Sequence, residues 1–124
     1  MTTIEVMAAE MKNLGFNYAY EFWNDRPKYP YFTGDYIETG VEASSGKTDG
    51  TMYLTGWTRD GFAELPDLLD AKDKIKEHFC ELIRTDGKAC VYLNYTGFKI
   101  IPTGEEGLNK IEITIDCQEW QLRN

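Results

Sequence analysis

The chain has 124 residues, of which 42% are hydrophobic and 14% aromatic, and it carries a formal net charge of −8 at pH 7. This length predicts one domain over residues 1–124, and the apolar fraction excludes a disordered protein. The acidic balance disfavours specific binding of nucleic acid, which needs clustered lysine and arginine. The sequence has neither an apolar run of membrane-spanning length nor a signal-peptide pattern, so we expect no membrane partner and a chain that stays where it is made.

The N-terminal segment predicts a short amphipathic helix over residues 3–14. Thr2 and Glu5 form a capping-box pair, apolar residues follow at spacings of three and four, and Gly15 suits the position after the helix. Met7 and Met11 lie on the apolar stripe. We expect them to pack in the core, with contact to a neighbouring subunit as the alternative.

Alternating residues predict three strands in the next part of the chain. Residues 16–23 form the first, residues 29–42 the second after a turn at 24–27, and residues 51–58 the third, with a loop at 43–50. That loop ends in Gly46-Lys47-Thr48 but has Val41 where a phosphate-binding loop needs its first glycine, so it predicts no nucleotide site. The first two strands are rich in aromatic residues, which need cover from the helices or from another molecule.

The second half of the chain predicts a long helix and a closing hairpin. The apolar stripe of LPDLLDAKDKIKEHFCELIR, with Pro66 in its first turn, predicts a helix over residues 65–84 that is about 30 Å long. Residues 89–101 form a strand with a bulge at Thr96-Gly97, and residues 110–121 form the last strand after a loop at 102–109. The predicted fold is therefore α+β: a mostly antiparallel sheet of about five strands, with the long helix and the short N-terminal helix packed on one face.

No motif predicts catalysis, a cofactor or a metal site. His78 is the one histidine in the sequence and falls on the polar side of the long helix, where we expect a surface or boundary residue. Cys80, Cys90 and Cys117 are widely spaced and fall on predicted buried faces, so we expect reduced core cysteines. We therefore expect a protein that is not an enzyme.

Two segments resemble one protein family. GTMYLTGWTRDGFAELPDLLDAKDKIKEHF is similar to a strand, polar connection and helix, and CVYLNYTGFKIIPTGEEGLNKIEITIDCQEW to the final hairpin, of the tail terminator and related head-to-tail joining (minor tail) proteins of long-tailed bacteriophages. The resemblance implies a structural protein that forms a ring, commonly of six subunits, at the end of the tail tube. Its implied partners are further copies of itself, the tail-tube protein and the head-connector protein. Its implied location is the virion tail or neck, after assembly in the host bacterial cytoplasm.

The resemblance gives no catalytic residues but directs attention to contact surfaces. The candidates for a subunit or partner interface are Trp23, Tyr29, Tyr31, Trp57 and Arg59, with Met7 and Met11 as alternates. Six copies, each at −8, carry about −48, which suggests a lumen along which DNA slides without binding. The alternative hypothesis is an acidic binding module, of the inhibitor or immunity type, that captures a basic partner. A small enzyme is a distant third.

Overall fold

The computed structural model describes residues 1–21 and 28–122. In chain order the elements are α1 (Thr3–Asn13), β1 (Asn17–Tyr20), β2 (Tyr31–Glu42), β3 (Lys47–Arg59), α2 (Leu65–His78), β4 (Leu82–Thr85), β5 (Ala89–Ile101) and β6 (Leu108–Gln121). The strands form one sheet in the order β1-β2-β3-β6-β5-β4, curled into a half-barrel. β1 is parallel to β2, and the other neighbouring pairs are antiparallel. Neither described helix combines the length and the apolar composition that crossing a bilayer requires.

The predicted sheet and long helix are wrong, although the protein is α+β. The sheet has six strands rather than about five, and it is mixed because Asn17–Tyr20 runs parallel to Tyr31–Gly34. Alternation of apolar and polar residues tells which face a side chain occupies, but not the direction of the neighbouring strand. The predicted first strand extends to Trp23, and Trp23 and the turn at residues 24–27 lie outside the described residues.

The predicted long helix ends early. α2 stops at His78, so it is about 21 Å long rather than 30 Å. The Phe79 N–H bonds to Ile75 at 2.9 Å, and Glu81 then takes a left-handed conformation with φ of 51° that breaks the helical path. The next residues form β4, which pairs with residues 90–93 of β5. Leu82 and Ile83 continue the helical spacing of apolar residues, but strand pairing determines their conformation.

The core lies between the two helices and one face of the sheet. α1 begins as predicted, with the Thr2 side chain accepting a hydrogen bond from the Glu5 N–H at 3.3 Å, and Gly15 follows it with φ of 83°. Met7 and Met11 are fully buried, which confirms their packing in the core. The core contains Val6, Met7, Met11, Phe32, Met52, Leu54, Leu68, Ala71, Ile75, Phe79, Val91, Leu93, Ile111, Ile113, Ile115 and Cys117.

The closing hairpin is confirmed, including its bulge. The pairing of β5 with β6 shifts register between Tyr95 and Gly97, and beyond the shift Phe98 pairs with Ile113 and Ile100 with Ile111. Directly paired residues share a face, so the bulge returns Phe98 and Ile100 to the helix-facing side. The predicted loop at 43–50 is too long, because β3 already begins at Lys47.

The cysteines occupy three different environments. Cys117 is buried, and this burial raises its pKa to about 12. Cys90 is half-buried and Cys80 is exposed, so the prediction of three buried cysteines is wrong. Cys80 follows the early end of α2 and therefore lies in a connection rather than on a helix face.

Candidate interaction surface

A row of aromatic rings lies at one end of the sheet, on the face turned away from the helices. The register of β2 with β3 places Tyr31 directly opposite Trp57, and their rings stack at 4.9 Å with an interplanar angle of 21°. The Tyr29 ring lies 5.4 Å from Tyr31 and 5.8 Å from Phe62. We call Tyr29, Tyr31, Trp57 and Phe62 the aromatic cluster. Its stacked and tilted rings make a continuous surface rather than isolated side chains.

Two cations flank the aromatic cluster. Arg59 donates a hydrogen bond from Nη1 to Glu105 Oε1 at 2.9 Å. Its side-chain hydrogen bond with Tyr29, followed by that with Glu105, raises the pKa of Arg59 above its usual range. On the other side, Lys110 Nζ lies 5.6 Å from the centre of the Trp57 ring. The surface therefore combines aromatic rings with an arginine that is paired to Glu105, and aromatic residues and arginine are the types enriched at protein interfaces.

Phe62 is the most exposed member of the cluster, with 75% of its surface accessible. It lies in the turn after β3, where its N–H bonds to the Arg59 carbonyl at 3.0 Å and Gly61 has φ of 92°. A polar residue would satisfy such a turn without exposing an apolar ring to water. An exposed phenylalanine beside three half-buried rings is the arrangement expected of an anchor for a partner.

The β5–β6 connection, at residues 102–107, is hydrogen-bonded to the turn after β3 at this end of the molecule. The Asp60 N–H donates to the Gly107 carbonyl at 2.7 Å, and the Asn109 side chain donates to Asp60 Oδ1 at 3.2 Å. Inside the connection, the Thr103 hydroxyl bonds to the carbonyls of Glu105 and Leu108, each at 3.0 Å. The turn that carries Phe62 and the loop that carries Glu105 are thus tied together.

The opposite end of the sheet has a second surface. A hollow of about 400 Å³ lies there, lined by Ser45, Thr85, Gly87, Ala89, Cys90, Trp120, Gln121 and Leu122. Lys47 Nζ lies 5.8 Å from the centre of the Trp120 ring, and the N-terminal amine lies 3.5 Å from Asp86. The β2–β3 loop at residues 43–46 and the β5–β6 loop at residues 102–107 therefore project from opposite ends of the molecule, each beside a different surface.

The part of the chain that the structure describes has no cluster of metal-binding side chains. It contains no group of three or more histidine, cysteine, aspartate or glutamate side chains placed to hold a metal ion. His78 Nε2 lies 3.4 Å from Glu10 Oε1, and the same buried oxygen contacts Arg84. Glu10 therefore links α1 to the end of α2 through His78 and to β4 through Arg84. This contact gives His78 a structural role.

The structure brings together four of the residues chosen from the sequence. Tyr29, Tyr31, Trp57 and Arg59 form one surface, whereas Trp23 lies outside the described residues. Met7 and Met11 are fully buried and offer no surface in the single chain. Sequence reasoning missed Phe62, Glu105 and Lys110. An aromatic residue directly after a turn glycine was the available signal for Phe62.

The fold and this surface define a class: an α+β protein with one curved mixed sheet, two helices on one face and an aromatic cluster on the other. No family model matches the chain, and no curated protein matches it. A solved protein structure superposes with a TM-score of 0.66 over 100% of this chain and 99% of that chain, at 13% sequence identity. The chain is therefore similar in fold to a known protein of matching extent, and this similarity concerns the fold alone.

Proposed function

We propose that this chain is a structural component of a phage or prophage tail, and that it acts as a tail-completion (terminator) protein. In this proposal, six copies form a ring that ends the tail tube and joins it to the head connector. Assembly takes place in the host bacterial cytoplasm, and the finished ring lies in the virion tail or neck. The observation that carries the proposal is the aromatic cluster, in which the exposed Phe62 lies beside three half-buried rings.

The two ends of the sheet suit a protein that joins two different partners. The aromatic cluster lies at the end marked by Arg59 and Glu105, whereas the hollow beside Trp120 lies at the end marked by the residue 43–46 loop. A joining protein in a ring must present one surface to the tube and another to the connector. We assign the aromatic cluster to the tail-tube protein and the hollow to the head-connector protein.

The experiment is co-sedimentation of the purified chain with tail tubes assembled from a tail-tube protein of the same source. Phe62→Ser removes the exposed anchor without touching the core, and we expect it to weaken tube binding by about tenfold or more. The matched control is Leu122→Ser, an exposed apolar residue at the opposite end, which should bind tubes like the wild type.

Two results would contradict the proposal. Tube binding that Phe62→Ser leaves unchanged removes the role assigned to the aromatic cluster. A strictly monomeric wild-type chain that neither assembles nor binds tubes favours the acidic binding module instead, since a net charge of −8 suits capture of a basic partner.

A further inference from the structure

The sequence contains three Asp-Gly pairs, and the fold places them in three different environments. They are Asp49-Gly50, Asp60-Gly61 and Asp86-Gly87. In such a pair the backbone nitrogen of glycine can attack the side-chain carboxyl group of the aspartate, because the glycine has no side chain to hinder the approach. The reaction needs a backbone and a carboxyl group that are free to move, so the hydrogen bonds around each pair determine its rate.

The Asp49-Gly50 pair lies inside the sheet. β3 is paired on both sides, and the buried Gly50 lies opposite Glu38 of β2 and Cys117 of β6. The Gly50 nitrogen reaches the Asp49 carboxyl group only if the ladder opens at this point. Such an opening costs free energy close to that of unfolding, so the sheet protects this pair.

The Asp86-Gly87 pair lies in the turn between β4 and β5, where backbone groups hold the carboxyl group. Asp86 Oδ1 accepts the N–H of Lys88 at 2.9 Å and the N–H of Ala89 at 2.8 Å. The same two hydrogen bonds, that with Lys88 first, lower the pKa of Asp86 below its usual value. Loss of water starts from a protonated carboxyl group, so both the geometry and the charge of this turn slow the reaction.

The Asp60-Gly61 pair is held only by exposed side chains. Asp60 Oδ1 accepts a hydrogen bond from Asn109 Nδ2 at 3.2 Å, and the Gly61 N–H donates to Glu64 Oε1 at 3.2 Å. Both hydrogen bonds lie in solvent, so each side chain can turn into water without any opening of the sheet. Releasing this pair therefore costs much less free energy than opening the ladder around Gly50.

We propose that Asp60-Gly61 is a site of spontaneous isomerisation, at which the folded chain converts Asp60 to isoaspartate. The Gly61 nitrogen bonds to Asp60 Cγ and loses its proton, and one oxygen of the protonated carboxyl group leaves as water. Water then opens the resulting succinimide ring. Attack at Cγ restores aspartate, whereas attack at the main-chain carbonyl carbon of Asp60 leaves Gly61 joined through the side chain. The balance needs only water.

The product changes the turn that carries Phe62. Isoaspartate adds one carbon atom to the main chain between Asp60 Cα and Gly61. The N–H groups of Phe62 and Ala63 both bond to the Arg59 carbonyl, at 3.0 and 3.1 Å, and a longer main chain disrupts this turn. The isomerisation does not depend on the proposed function. Its effect on tube binding does, and there we expect an aged chain to bind tail tubes more weakly than a fresh one.

Incubation of the folded chain in heavy-oxygen water tests the proposal, because each ring opening places one labelled oxygen atom in the pair. Trypsin separates the three pairs into peptides 48–59, 60–72 and 85–88, which mass spectrometry measures individually. We expect the label to enter Asp60 about tenfold faster than Asp49 or Asp86. In urea concentrated enough to unfold the chain, the three rates should converge. Chromatography separates the isoaspartate form of each peptide from its aspartate form.

Two variants test the cause of the reactivity. Asn109→Ala removes the hydrogen bond to Asp60 Oδ1, so it should raise the rate at Asp60 and leave those at Asp49 and Asp86 unchanged. Asp60→Glu is the matched control, because it keeps the charge but needs a larger and less favourable ring. It should remove the label from this position. Circular dichroism checks that both variants keep the fold.

The outcomes separate this inference from the proposed function. A rate at Asp60 no higher than at the other two pairs overturns the proposal, and so does the same difference in rates in urea, because the fold would then have no part in it. Isoaspartate that forms at Asp60 in a chain that binds no tail tubes supports the isomerisation and contradicts the tail-completion role.

Discussion

Two tyrosines of β1 bury their hydroxyl groups in different ways. The Tyr20 hydroxyl accepts the Tyr36 N–H at 3.1 Å, whereas the Tyr18 hydroxyl is buried with no hydrogen-bond partner among the described residues. Burial also raises the pKa of Tyr18 well above its usual range, as expected for a phenol removed from water. We therefore expect the hydroxyl group of Tyr18 to lower the free energy of unfolding and that of Tyr20 to raise it.

Tyr18→Phe and Tyr20→Phe should change stability in opposite directions. Removing an unsatisfied buried hydroxyl relieves its desolvation cost, so Tyr18→Phe should stabilise the fold by about 0.5–1 kcal/mol. Tyr20→Phe leaves the Tyr36 N–H without its acceptor and should destabilise by about 1 kcal/mol. Urea unfolding monitored by circular dichroism gives both values. A destabilised Tyr18→Phe variant would mean that the hydroxyl has a partner outside the described residues.

At the scale of the element, the end of α2 depends on one residue. Glu81 has φ of 51°, a left-handed conformation that costs free energy for any residue except glycine, and its N–H donates to Asn94 Oδ1 at 3.0 Å. Glu81→Gly keeps this backbone hydrogen bond and relieves the strain, so it should raise the free energy of unfolding by up to about 1 kcal/mol.

The control for Glu81→Gly lies about two turns earlier. Lys74 is exposed in the interior of α2, so Lys74→Gly should lower stability by about 1 kcal/mol through the loss of helix propensity. Chemical denaturation of both variants tests the observed helix end. If residues 65–84 were one helix, both glycines would be destabilising by similar amounts.

The elements that sequence patterns predict well are those in which local pattern and tertiary environment agree. α1 has its capping pair, β6 has strict alternation, and the bulge of β5 occurs at the glycine that marks it. The end of α2 is not predictable in this way, because the apolar spacing of Leu82 and Ile83 fits a helix as well as an edge strand. The parallel pairing of β1 with β2 is not predictable either, because the periodicity of apolar residues carries no information about the direction of the neighbouring strand.

The candidate surface, like the fold, is predictable from the sequence only in part. Aromatic residues in excess of what two helices cover point to Tyr29, Tyr31 and Trp57, and the structure stacks their rings in one row. Phe62 and Glu105 join them only through the turn after β3 and the β5–β6 connection. Such contacts arise from the register of β3 with β6, which places Arg59 opposite Leu108. A single sequence does not specify that register before the sheet is known.

At the scale of the whole molecule, the net charge opposes association of the copies in the proposed ring. Each subunit carries −8, so subunits repel one another before their surfaces come into contact. The screening length falls from about 30 Å at 0.01 M salt to about 8 Å at 0.15 M, which removes this long-range repulsion. Short-range contacts at a subunit interface are screened less once they are partly buried.

The assembly of the wild-type chain should therefore strengthen as salt rises from low to physiological concentration. We expect light scattering to show smaller species at 0.01 M sodium chloride and a larger fraction of ring-sized species at 0.15 M, at equal protein concentration. The control is Lys88→Glu, an exposed substitution that changes the net charge from −8 to −10 and should move the onset of assembly to higher salt. Assembly that instead weakens steadily with added salt would show that attraction between opposite charges at the subunit interface outweighs the repulsion from the net charge of −8.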